Sequence, residues 1–279
     1  MKNRFLALSL ICLVASLGLV AADRPNVLLI LSDDHSVPHL GAYGDLNCQR
    51  FNITPNLDAF AAEGMRFNRA YTAAPQCAPS RAGIFAGRSP VGLSATRFAQ
   101  PVRPDTVLFT DILRKNGYWV GLAGRHQHLD GKNNDLDHVT EMLVELGMRD
   151  GEFTKRFDHF VRGARTKGDA IYDVDDKVNE ALDKVSDDKP FFLYFGFSQP
   201  HRKWGDDYEK IDPKKLVLPP DWPDLPEVRL DYAKYLAEVR DLDIGFGIVE
   251  DVLEERGLKE NTLVIFMGDN GEALLRGKG

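Results

Sequence analysis

Reactive side chains are concentrated in Cys77-Ala78-Pro79-Ser80-Arg81. A cysteine here reads as a paired thiol, a free nucleophile or a modification target, and pairing with Cys48 is the plain alternative. Pro79 has a fixed φ that suits a first helical turn, where its missing N–H costs nothing. A helix over Pro79–Phe85 is therefore expected, with its positive end and unpaired N–H groups facing the Cys77 side chain. Arg81 in that first turn opposes the helix dipole, which implies another task for it. A nucleophile position, an anion-binding helix end and an arginine within one turn suit a tetrahedral oxyanion.

Four short apolar runs end in further functional groups. Asn26–Leu31 runs into Ser32-Asp33-Asp34-His35. Adjacent carboxylates repel unless a cation lies between them, and a lone Asp-Asp pair otherwise reads as a solvated turn. Tyr118–Ala123 leads into Gly124-Arg125-His126-Gln127-His128-Leu129-Asp130-Gly131, a basic, imidazole-rich turn or else a surface loop. Pro190–Phe197 precedes Gln199-Pro200-His201-Arg202, where a lone histidine is more often structural than catalytic. Thr262–Met267, read as a buried strand, ends in Gly268-Asp269-Asn270-Gly271. Asp33, Asp34, Asp269 and Asn270 offer oxygen ligands, three of them anionic, which points to Ca²⁺ or, second, Mg²⁺ rather than Zn²⁺.

The elements that must position these groups alternate between strand and helix. Thr54-Pro55 supplies an N-cap and a first-turn proline for a helix over Asn56–Glu63, closed by Gly64. Met65–Tyr71 has a strand-like pattern. Helical spacing covers Thr106–Asn116, with Gly117 as its stop, and Val174–Val185 is a further helix. Tyr232, Tyr235, Val239, Leu242, Phe246, Val249 and Leu253 form one apolar stripe of a long helix, read as core, with Gly257 at its end. Lys203–Pro226 reads as a long surface loop, and Gly131–Lys189 is given no chemistry. The alternation argues for an α/β fold with a largely parallel sheet, in which ligands bind beyond the carboxyl ends of the strands.

Composition bounds the function. The 43% hydrophobic and 28% charged residues describe an ordinary globular chain, and a net charge of −7 gives no support to nucleic-acid binding. Lys2 and Arg4 precede an apolar run, Phe5–Val20, and Val20-Ala21-Ala22 is a cleavage signal. Residues 1–22 therefore read as a secretory signal peptide, and 23–279 as an exported protein, periplasmic or extracellular, or lumenal in a eukaryote. A retained anchor is the alternative, but the run is short for a bilayer span, so no stable membrane insertion is expected. Cys12 leaves with the leader, and two cysteines do not make a disulfide scaffold. The chain stops at Arg276-Gly277-Lys278-Gly279 without a terminating element, as an incomplete catalytic domain would.

Cys-x-Pro-Ser-Arg, with the Asp-Asp, Pro-His and Asp-Asn pairs following in order, resembles the type I sulfatases, and Lys189–Arg202 and Tyr232–Gly271 resemble their sulfamidase-like branch. The resemblance covers Asn26–Gly279. It implies an alkaline-phosphatase-like fold lacking its C-terminal subdomain, with Cys77 oxidised by a sulfatase-maturing enzyme to Cα-formylglycine (3-oxoalanine). It further implies calcium held by Asp33, Asp34, residue 77, Asp269 and Asn270. Sulfuryl contacts would fall to Arg81, Arg125, His201 and Lys278. The turn at 124–131 departs from the family's Gly-Lys-x-His-x-Gly pattern, with arginine in place of lysine and one residue inserted. His128 is therefore carried over with His126 as competitor, and the leaving-group acid lies among His128, His126 and His201. The implied substrate is a sulfated small molecule or saccharide, such as a glycosaminoglycan fragment. A phosphatase or phosphodiesterase of the same superfamily, and an inactive metal-binding fragment, are the rival readings.

Overall fold

The computed structural model describes residues 24–279, leaving out 99, 126, 131–140, 142, 146, 148–152, 163–172, 187, 276 and 279, and the side chains of 127, 128 and 162. The leader expected over residues 1–22 lies outside these residues.

Five strands form one parallel sheet: β1 (Asn26–Ser32), β2 (Trp119–Gly124), β3 (His159–Arg162), β4 (Phe191–Gly196) and β5 (Thr262–Gly268), in the order β3-β2-β4-β1-β5. The helices that accompany it include α1 (Leu46–Phe51), α2 (Pro55–Glu63), α3 (Cys77–Ala86), α4 (Phe109–Lys115), α5 (Val174–Leu182) and α6 (Pro226–Glu255). The central strands are apolar at successive positions because both faces are covered. Leu28, Ile30, Leu193 and Phe195 pack on one side with Leu57 of α2, Val178 of α5 and Leu242, Phe246 and Val249 of α6. Leu29, Leu31, Phe192 and Tyr194 pack on the other with Ala82 and Phe85 of α3 and Leu108 and Phe109 at α4. The α/β fold with a largely parallel sheet read from the sequence is the one observed, helices covering both faces.

Registry aligns the functional ends. Ser32 pairs with Gly268, and Leu31 with Gly196, so β1, β4 and β5, which are neighbours in the sheet, deliver their terminal residues at one level. Backbone bonds lock the exits: the Asp33 N–H donates to the Gln199 carbonyl at 3.0 Å and the Asp269 N–H to that of Ser32 at 3.1 Å. Gly124 has φ +74°, and a Cβ there would run into the Gly196 carbonyl oxygen. Glycine therefore lets β2 and β4 close up beneath the site.

Three expectations and one alternative are corrected. Met65–Tyr71 forms no strand among the described residues, and Met65, Phe67 and Tyr71 are 81, 63 and 87% exposed. Alternation alone does not make a strand, because the backbone groups need a neighbour to bond. β5, expected to be buried, is the outermost strand among the described residues, with Leu263 54% and Ile265 39% exposed. Cys48 and Cys77 are both buried free thiols, so the half-disulfide reading falls. Thr54 occupies the N-cap position of α2 but makes no capping bond. Its hydroxyl instead accepts from Gly41 N and donates to Asp58.

The α2 amino end is capped from another helix. Asp243 of α6, 1% exposed, accepts from Asn56 N at 3.2 Å, Leu57 N at 2.8 Å and Asn56 Nδ2 at 3.0 Å. An anion across the positive helix end satisfies otherwise orphaned donors. Asp243→Ala leaves those donors buried and is expected to cost about 2–3 kcal/mol, read as a lower urea midpoint with unchanged m-value.

Candidate active site

The chain enters the site at Asp33 and Asp34, directly after β1. Asp33 is 0% exposed and Asp34 1%, and Asp34 holds φ at +62°. Two bonds brace that left-handed backbone: Asp34 N–H donates to Asp269 Oδ1 at 3.0 Å, and the Tyr235 hydroxyl donates to the Asp34 carbonyl at 3.2 Å. α3 arrives from the opposite side. It begins at Cys77 itself, two residues earlier than its proline suggests, so the thiol stands in the first turn instead of facing it. Sγ donates to Asp33 Oδ1 at 3.2 Å and lies 3.8 Å from Asp34 Oδ1.

Arg81 is 0% exposed. Nε donates to Asp269 Oδ2 at 2.9 Å, Nη1 to the Arg125 carbonyl at 3.0 Å and to Tyr194 Oη at 2.5 Å, and Nη2 lies 3.3 Å from Asp33 Oδ2. Burial opposes its charge, but Tyr194, Asp269 and Asp33 outweigh burial and hold the guanidinium protonated, above its ordinary value. Arg81, expected at the substrate anion, directs its donors to Asp269, Asp33, Tyr194 and the Arg125 carbonyl and braces the carboxylates. Arg125 Nε contacts Asp33 Oδ2 from the mouth, with its side chain 24% exposed. Lys278 Nζ donates to Asp34 Oδ1 at 2.7 Å and lies 3.4 Å from Cys77 Sγ. His201 Nε2 stands 3.7 Å from Asp34 Oδ2. The His128 side chain, and all of His126, lie outside the described residues.

Electrostatics constrain what Cys77 can do. Burial, then Asp33 and Asp269, push its thiol far up, so it stays protonated at neutral pH. Burial, with Asp33 beside it, raises Asp269 to about 7. A protonated thiol among carboxylates is a poor nucleophile.

The donors fit a hard cation. Ligand atoms of Asp33, Asp34, Cys77 and His201 lie within 4.8 Å of one another. Asp34 Oδ2 and Asn270 Oδ1 are buried without a hydrogen-bond partner, while Asn270 Nδ2 donates to Asp34 Oδ1 at 2.7 Å. Asp33, Asp34 and Asp269 are opposed by Arg81, Arg125 and Lys278, but the last two reach in from the mouth. If they turned to an incoming anion, the carboxylates would lose partners that a divalent cation replaces. Both Asp269 oxygens are already engaged, by Arg81 and by Asp34 N–H, so its approach to a cation requires sharing.

A sulfatase family model matches residues 25–279. The chain belongs to the sulfatase family. The chain is 29% identical to the rat N-acetylgalactosamine-6-sulfatase over 95% of its own length and 54% of the relative's. It is 28% identical to the human N-sulphoglucosamine sulphohydrolase over 93% of itself and 53% of that protein. The chain thus spans about half the length of these curated relatives. Its fold is alkaline-phosphatase-like: the phosphonate monoester hydrolase of Agrobacterium radiobacter superposes with a TM-score of 0.69 at 17% identity, over 92% of this chain and 65% of that one.

Sequence reasoning missed the supporting hydroxyls. Tyr194 passed as a strand-core aromatic, yet its hydroxyl accepts from Arg81 and donates to the Arg125 carbonyl at 2.8 Å. Tyr235 was absorbed into the apolar stripe, and Ser80, whose hydroxyl donates to the Asp269 carbonyl, was passed over. The available signal was chemical: a buried tyrosine hydroxyl needs a partner. Tyr194→Phe strips a buried acceptor from Arg81 and is expected to cost about 1–3 kcal/mol, checked by thermal unfolding.

Proposed function

We propose that this sulfatase hydrolyses sulfate esters or sulfamates of saccharides, with formylglycine at position 77 and Ca²⁺ at the carboxylates. The observation that carries the reading is the setting of Cys77. A buried, protonated thiol lies 3.2 Å from a carboxylate oxygen and 3.4 Å from a lysine ammonium, in a nest suited to an oxygen ligand. Converted to formylglycine by a maturing enzyme, residue 77 would supply a hydrated aldehyde as oxygen nucleophile. Calcium held by Asp33, Asp34, Asn270 and residue 77, with Asp269 sharing, would supply charge that lowers the pKa of a coordinated oxygen and polarises the sulfuryl group.

The protein's own residues have separable tasks. Arg81 and Tyr194 keep Asp33 and Asp269 in place. Lys278 and Arg125, at the mouth, bind the sulfuryl oxygens and stabilise charge that develops on them. Partial burial opposes charge on Lys278, but the ion pair with Asp34 outweighs it, so the ammonium stays protonated. His201, with a side chain 26% exposed, would protonate the leaving oxygen or nitrogen. The sugar preference follows from the relatives, an N-acetylgalactosamine-6-sulfatase and an N-sulphoglucosamine sulphohydrolase. Export belongs to the same proposal, since the leader-like run at residues 5–20 motivates it.

One observation favours a rival. Asp, Asp, Cys and His together also suit zinc when the thiol is intact. The test is sulfate release from N-sulfated and 6-O-sulfated glucosamine by protein co-produced with a sulfatase-maturing enzyme. Calcium-dependent release is expected. No release from a converted chain, or zinc bound to an intact thiol with phosphoester turnover, contradicts the proposal.

A further inference from the structure

Between Met65 and Pro104 the sequence holds six arginines (Arg66, Arg69, Arg81, Arg88, Arg97 and Arg103) and no lysine, aspartate or glutamate. Six positive charges here, in a chain of net −7, leave −13 on the remaining residues. Arg81 is consumed by the active site, and the other five are exposed. Where such a one-sign stretch comes together on an acidic protein it is a local attractor for an anion that other faces repel.

Two of these arginines, Arg88 and Arg103, border a groove of about 670 Å³ at the carboxyl end of α3, walled also by Ser94 and Asp105. Arg97 stands on the turn that follows Ser94 and has no ion-pair partner among the described residues. Arg88 spends one donor on the Gly92 carbonyl, at 2.8 Å, and keeps others for a ligand. Arg103 pairs with Asp105 at 3.1 Å, but those side chains are 48 and 72% exposed. A pair so solvated exchanges readily for a better partner. The floor is apolar: Leu93 and Leu108 are buried, and Val107 and Ile112 are 65 and 54% exposed.

Arginine forks around an apolar floor match a polymer that carries sulfates on rings with C–H faces. The groove also connects to the reaction centre through one rigid element. α3 starts at Cys77 and runs 10 residues to Ala86 beside the groove, which is about 15 Å along its axis. We propose that this groove is a docking subsite for a sulfated polysaccharide, several sugar units from the group being hydrolysed. Assigning a sulfated glycan rests on the sulfatase reading above, whereas binding itself does not require turnover.

The test measures binding of dextran sulfate across a salt series to the full chain and to a variant carrying Arg88→Gln, Arg97→Gln and Arg103→Gln. para-Nitrophenyl sulfate hydrolysis is followed in parallel. The expected result is affinity lower by roughly tenfold or more, with a log K against log salt slope shallower by about 2, at roughly 0.7 per lost contact. Turnover of the small ester should be unchanged, because none of the three residues touches the site. Equal affinity and slope in the variant, or no binding by the wild-type chain, would overturn the proposal. So would equal wild-type affinity for polyglutamate, a carboxylated polymer. Tight, arginine-dependent binding without any ester hydrolysis would support the docking site and count against the sulfatase reading instead.

Discussion

Cys77→Ala is expected to lower sulfate-ester turnover by at least about 10⁴-fold while calcium binding remains measurable. The side chain is 0% exposed and small, so its removal leaves the fold standing. What disappears is the atom at 3.2 Å from Asp33 and 3.4 Å from Lys278. Cys77→Ser sharpens the result. A serine hydroxyl fits the same place, but it has no second hydroxyl on the same carbon with which to expel a bound sulfuryl group. It should therefore support at most one transfer per molecule. Calorimetry with Ca²⁺ and a sulfate-release assay separate the two effects. Full turnover by either variant would place the nucleophile elsewhere.

The second large effect lies behind the reacting atoms. Arg81→Met leaves Asp33 and Asp269 buried with an uncompensated charge, and is expected to destabilise the protein by about 3–5 kcal/mol. Calcium should restore part of that loss, since a cation at the carboxylates takes over the neutralising task. Arg81→Lys is not a conservative rescue: one ammonium cannot reach Asp33, Asp269, the Arg125 carbonyl and Tyr194 Oη together. Urea denaturation with and without Ca²⁺ reads both quantities. Wild-type stability in the Arg81→Met variant would show that the carboxylates are neutralised by another route.

Strand ends were the legible part of this molecule. Val27–Leu31 and Phe191–Phe197 are apolar runs bounded by polar residues, so the strand limits follow to within a residue, and the fold then delivers Asp33, Asp34 and His201 to one edge. β3 was not legible. His159–Arg162 is four residues of mixed polarity in a charged segment, and it becomes a strand because β2 offers it a partner. Met65–Tyr71 is the converse, a good pattern without a neighbour. Arg81 was identified as a residue with a task, because its position opposes the helix dipole. Its actual partners, Asp33 and Asp269, depend on the registry of β1 with β5, which no local pattern carries. The Asp243 cap on α2 was hidden for the same reason, since its sequence neighbours suggest an ordinary helix interior.

The most direct test of the central claim is the mass of the tryptic peptide Ala70–Arg81, from chain produced beside a sulfatase-maturing enzyme. The account predicts the mass in which the Cys77 –CH₂SH has become –CHO. An intact thiol in that peptide, from a preparation that nonetheless releases sulfate, would contradict it.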